Sequence, residues 1–85
     1  MDKNSYKIDF PGLVRMYHAQ ALIYLGAVKN PLTDKIDKNL QQAQLLIDIL
    51  QLLKEKTINN LTADEVAMLE KSLERLEIEM KKEQN

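Results

Sequence analysis

The side chains able to do chemistry in this 85-residue chain are few. His18 is the only imidazole. A histidine serving as general base or metal ligand needs partners within hydrogen-bond reach. Gln44, Asp48 and Glu55 supply them only if packing turns them towards it, and a hydrogen-bonded or solvated structural histidine is the commoner fate. Asp48 stands inside an apolar run, "LLIDIL". A buried carboxylate there would be a functional-site candidate, but helical spacing groups it with Gln44, Gln51 and Glu55 on a polar face. A hydrogen bond to a loop or to a second subunit is expected for it. Tyr17 and Tyr24 lie seven apart on one side of a helix, where an aromatic pair could grip a ligand in a groove. Core or interface packing suits them better, since tyrosine tolerates one damp edge. Asp64, Glu65 and the "DKID" segment lack the oxygen-ligand spacing of a calcium loop, and helix capping accounts for Asp37, Asp64 and Glu65. The two glycines are too far apart for a phosphate-binding loop. No nucleophile, base and orienter can be assembled, so a non-enzyme is expected, with no cofactor and no metal.

Composition narrows the classes further. Without cysteine, disulfides and thiolate metal sites are excluded. Twelve basic and 13 acidic side chains give a net charge of -1, which speaks against a nucleic-acid binder with its basic stripe. The longest apolar run, "ALIYL", is far short of a membrane span, and the first ten residues lack a signal-peptide core. No nucleic acid and no membrane are therefore expected as partners, and the cytoplasm is the expected location. A domain this small buries only about 60% of the surface that its unfolded chain exposes. It usually needs a disulfide, a metal or a partner subunit, and here only the partner remains.

The elements that must position these residues read as all-α: three helices at about 10–26, 38–58 and 63–82, with an ordered loop at 27–37. Residues 1–8 read as an N-terminal arm, with Tyr6 and Ile8 able to dock, and 9–85 as one helical domain. Asp9 is a fitting N-cap for helix 1, Pro11 is tolerated in its first turn, and Gly26 suits a left-handed C-terminal cap. Pro31 breaks any helix, and Val28, Leu32 and Ile36 are expected to pin the loop to the core. Asp37 is the expected cap of helix 2. Asn59 or Asn60 is the expected left-handed residue after it. Thr62 and Glu65 have capping-box spacing, and Leu61 and Val66 that of a hydrophobic staple.

Turning each helix by roughly 100° per residue shows how much of it is oily. In helix 1, Leu13, Val14, Tyr17, Ala21, Tyr24 and Leu25 cover about a third of the circle, while Met16, Ala19 and Ile23 lie opposite. Arg15 and His18 flank Leu22, and Gln20 stands alone. A helix apolar on nearly all sides belongs in the middle of something. In helix 2, Leu40, Ala43, Leu46, Ile47, Leu50 and Leu53 form the main stripe, widened by Leu45, Ile49 and Leu52. Helix 3 has only a narrow heptad seam, Val66, Leu69, Leu73, Leu76 and Met80. Two widely apolar helices cannot both be covered by one such seam, and a second copy is the simplest remedy. Leu13, Met16, Tyr17, Leu22, Tyr24, Leu45, Ile49 and Leu52 are the candidate interface of a helical homodimer. The alternative is a monomer in which helix 1 is covered by the other helices, the loop and the arm.

The ordered segments "FPGLV" (10–14), "ALIYLG" (21–26), "NPLT" (30–33), "AQLLIDIL" (43–50) and "EKTINNLTADE" (55–65) resemble those of a small bacterial family catalogued as domain of unknown function 1844. Its pattern runs F-x-x-L-V, A-L-x-x-L-G, D-P-x-T, A-x-x-L-I-D-x-L and K-T-x-G-N-L-T. Asn59 stands where that family usually has glycine, and Asn30 where aspartate is common. The resemblance covers about residues 9–80. It implies an all-helical bacterial protein and no assigned activity. The functional expectation is thus a non-enzymatic, homo-oligomeric module that docks a further, unidentified protein. The alternative is a carrier of small apolar ligands with a pocket between helices 1 and 2.

Overall fold

The structure, a computed structural model, describes residues 9–84; the arm at 1–8, with Tyr6 and Ile8, lies outside them. Three helices follow in order: α1 (Phe10–Tyr24), α2 (Leu40–Lys56) and α3 (Ala63–Gln84). Each pair of helices is in contact, α1 with α2 most extensively.

Local chemistry sets most of the boundaries. Asp9 is extended and its carboxylate accepts the Gly12 N–H at 2.8 Å, closing the start of α1. At the other end Gly26 N–H donates to the Ile23 carbonyl and Ala27 N–H to the Leu22 carbonyl, both at 3.0 Å. This is a Schellman arrangement, and it puts Gly26 at φ +79°. A β-carbon there would also meet Lys38 Cε at 2.8 Å. Before α3, Thr62 N–H donates to Glu65 Oε1 at 2.9 Å and Glu65 N–H to Thr62 Oγ1 at 3.1 Å, a reciprocal capping box. Asn59 takes the left-handed position after α2, at φ +71°.

Two expectations need correction. The cap of α2 is Asn39, which accepts the Gln42 N–H at 3.2 Å, and not Asp37. Asn39 N–H donates to the Tyr24 carbonyl at 2.7 Å, so the chain stays extended until it has passed the end of α1. The loop is also not pinned by its apolar residues. Val28, Leu32 and Ile36 are exposed, Leu32 at 92%. Its order comes from its own backbone instead: Asn30 and Lys35 form an antiparallel bridge. Asp34 N–H donates to the Asn30 carbonyl at 2.7 Å, and Leu32 N–H to the Asn30 side chain at 2.9 Å.

The core is the meeting of the three stripes. Val14, Ala21 and Leu25 of the α1 segment meet Ala43, Leu46, Ile47 and Leu50 of α2 and Leu69, Leu73, Leu76 and Met80 of α3. Leu25, Leu50, Leu69, Leu76 and Val14 are fully enclosed, each contributing about 1.5–3 kcal/mol of burial. Val66, the first residue of the expected seam, stays partly open. Its helical position is one turn beyond the last layer that α1 and α2 cover.

Candidate functional site

Helix α1 is not wrapped on all sides. Its buried arc is narrow, and Met16, on the opposite flank, is 49% exposed. On α2, Leu45 and Leu52 are 52% and 53% exposed. These two are seven apart, hence on one line along the helix, with half-buried Ile49 between them. The shortfall of cover is smaller than helical wheels alone imply. Tyr17, Leu22, Tyr24 and Ile49 are all partly buried against the core of a single chain.

The grooves show which way each stripe faces. Arg15 and His18 of α1 line a groove against α3, and Gln44, Ile47, Asp48 and Gln51 of α2 line another against α3. The sides of α1 and α2 remote from α3 are then those of Leu13, Met16, Tyr17 and Tyr24 and of Leu45, Ile49 and Leu52, following the 100° step. Seven of the eight interface candidates therefore share one face, built by α1 and α2. Leu22 is the exception: it sits between Arg15 and His18, on the α3 side. Along the shared face Leu13, Met16, Gln20 and Ile23 are spaced three, four, three, as are Gln42, Leu45, Ile49 and Leu52. Both have heptad spacing; Met16, Gln20, Gln42, Leu45 and Leu52 on them are exposed, while Leu13, Ile23 and Ile49 are half-buried.

His18 meets neither Gln44, Asp48 nor Glu55. Its Nδ1 lies 2.6 Å from Ser72 Oγ of α3, and burial, with Arg75 second, lowers its pKa from the ordinary 6.5. Ser72 is the buried polar residue that sequence reasoning missed. The signal was present in its spacing, three after Leu69 and four before Leu76, at the edge of the seam. Asp48 is exposed on its polar face as expected, but its partner is Gln44, one turn back on the same helix, at 2.9 Å. No described loop residue of the same chain bonds it. Among the described residues no group of three or more His, Cys, Asp or Glu is placed to hold a metal, and every buried side-chain polar atom has a hydrogen-bond partner. No helix among them is long and apolar enough to cross a membrane.

The α2–α3 groove has a volume of about 510 Å³ and carries Asp48, Glu74, Glu77 and Lys81. A smaller one of about 240 Å³ lies at the α2–α3 turn between Ile58, Leu61, Val66 and Leu69. Tyr17, Tyr24 and Met16 line none of these grooves. The face of Leu45, Ile49 and Leu52 thus lies apart from all three grooves.

A family model described as "Domain of unknown function (DUF1844)" matches residues 7–81, nearly the whole chain. No match is found among curated proteins or among solved structures.

Proposed function

The chain belongs to the DUF1844 family, and from that premise we propose that it is a non-enzymatic assembly module of the cytoplasm that works as a homodimer. The α1–α2 face of one copy packs on the same face of a second. A two-fold axis would bring α1 and α2 against their equivalents as a four-helix bundle. The helix α3 of each copy then stays on the outside, free to meet another protein.

One observation carries this reading: Met16, Leu45 and Leu52 are each about half exposed along seams with coiled-coil spacing. A second copy is the fitting occupant because the face offers two adjacent seams rather than one groove. Covering the open half of three such side chains on each of two copies contributes roughly 5–9 kcal/mol. That about offsets the cost of association, about 4–15 kcal/mol, so the surplus must come from the half-buried Leu13, Ile23 and Ile49 beside them, and a weak, reversible dimer is expected. Gln20, in mid-seam, is a polar residue of the kind that fixes register in helical interfaces.

Sedimentation velocity across micromolar to millimolar concentrations tests this. The expected result is reversible conversion to twice the 9.8 kDa mass of one chain. A single 9.8 kDa species throughout overturns it.

A further inference from the structure

The α1–α2 face is not apolar throughout, and its polar positions fall together. Gln20 of α1 and Gln42 of α2 both stand on the heptad-spaced lines, and both are exposed. Asn39 N–H, at the start of α2, donates to the Tyr24 carbonyl at the end of α1. The two helices pack on each other more extensively than any other pair, so they run antiparallel. Counted from that bond, Gln20 lies four residues back along α1, about 6 Å, and Gln42 three residues on along α2, about 4.5 Å. The two amides therefore share one level of the face. Fully buried Ala21 and Ala43 sit beside them in sequence, and such small residues let two helices approach closely there.

From that level towards the start of α1 both lines are apolar: Met16 and Leu13 on one, Leu45, Ile49 and Leu52 on the other. A second copy can be seated on such a face in two ways. With the two-fold axis running across the helices, the copies lie head to tail. Covering Leu52 then places the glutamine level of each copy against the apolar end of the other, where buried amides lack partners at a cost in free energy. With the axis running along the helices, every level meets its own equivalent. Gln20 of each copy then faces Gln42 of the other, and each amide offers the other both donors and an acceptor.

We infer, resting on the homodimer proposed above, that the second copy binds about an axis parallel to α1 and α2, with Gln20 of each copy hydrogen-bonded to Gln42 of the other. The four amides form one polar layer near one end of an otherwise apolar interface. Such a layer adds little affinity and selects one orientation and one register, as a single buried asparagine does in a coiled coil. It also disfavours other apolar helices as partners, since they would leave both amides unpaired.

The chain has no cysteine, so introduced ones report neighbours across the interface, since a disulfide needs Cα atoms within about 7 Å. Under mild oxidation, Gln20→Cys mixed with Gln42→Cys should give a linked dimer, and peptide mapping should find the 20–42 pair. Gln42→Cys mixed with Leu52→Cys should give none. Sedimentation equilibrium reads the same layer through affinity. Gln20→Leu should weaken the dimer about tenfold or more, although it adds apolar surface, because it strands the Gln42 amide of the other copy. Gln20→Leu combined with Gln42→Leu should restore the wild-type affinity or exceed it, since both partners are then gone. Both glutamines are exposed in the single chain, and an unchanged circular dichroism spectrum establishes that the variants fold. A dimer that links 42 to 52, or gives neither disulfide, or does not weaken with Gln20→Leu, overturns this inference and leaves the homodimer standing. A wild type that remains a 9.8 kDa species overturns both.

Discussion

Replacing Leu45 and Leu52 by glutamate should dissolve the dimer and spare the fold. Complete burial of a leucine is worth about 1.5–3 kcal/mol. Leu45 and Leu52 already bury about half of their surface within one chain. The open half of each then contributes roughly 0.8–1.5 kcal/mol on assembly. A two-fold contact uses both residues from both copies, so the four side chains supply roughly 3–6 kcal/mol. Glutamate forfeits that contribution and adds the cost of desolvating unpaired charges. The dissociation constant should therefore rise by roughly two to four orders of magnitude. Folding of the single chain should weaken by at most about 1.5–3 kcal/mol, the worth of the two buried halves, and by less where the glutamate methylenes keep their contacts; helix propensity is spared, because glutamate and leucine are both good helix formers. Sedimentation equilibrium measures the first quantity. Urea unfolding followed by circular dichroism, at concentrations where the wild type is monomeric, measures the second. A double variant that associates like the wild type refutes the assignment of this face. A double variant that loses its helices would show that the two leucines belong to the core of the protomer; Leu45→Gln alone, a milder change, then separates the two effects.

Other positions test the fold itself. Leu50→Ala and Leu76→Ala empty fully enclosed sites, and each should cost about 2–5 kcal/mol in urea unfolding. Gly26→Ala should destabilise by about 1 kcal/mol or more, since φ +79° is unfavourable for alanine even after Lys38 moves aside; Asn59→Gly, at φ +71°, should be neutral or slightly stabilising by the same measurement. Thr62→Ala removes one half of the capping box and should cost about 0.5–2 kcal/mol, read from the thermal midpoint. His18 has a folded-state pKa below its ordinary 6.5. The unfolded chain therefore takes up its proton first as pH falls. Stability present above pH 6.5 should decline as pH drops through that value towards the folded pKa. Unfolding at pH 7.5 and 5.5 should show this slope in the wild type and a smaller one in His18→Gln.

Much of the fold was legible because helix ends are decided locally. Asp9, Gly26, Asn59 and the Thr62–Glu65 pair each satisfy a backbone group within a few residues, so type and spacing suffice to find them. The start of α2 was not of that kind. Asp37 and Asn39 both have cap chemistry, and the choice falls to a bond from Asn39 N–H to the carbonyl of Tyr24, which belongs to another element. The loop misled for a related reason. Leu32 is apolar, but the Asn30–Lys35 bridge and its turn fold on themselves and project it into solvent. The candidate interface was legible as a list and not as a face. A wheel gives the angle of each residue on its own helix. Only the position of α3 shows that Leu22 lies on one side and the other seven residues on another.

That position of α3 also explains how so small a chain divides its surface. The third helix has one narrow apolar seam, and it spends that seam on the floor between α1 and α2. Its flanks carry most of its charge, with Lys71 and Arg75 beside one groove and Glu74 and Glu77 beside the other, and Met68 and Ile78 as apolar exceptions. The remaining sides of α1 and α2 receive no cover from α3 and keep Met16, Leu45 and Leu52 half open.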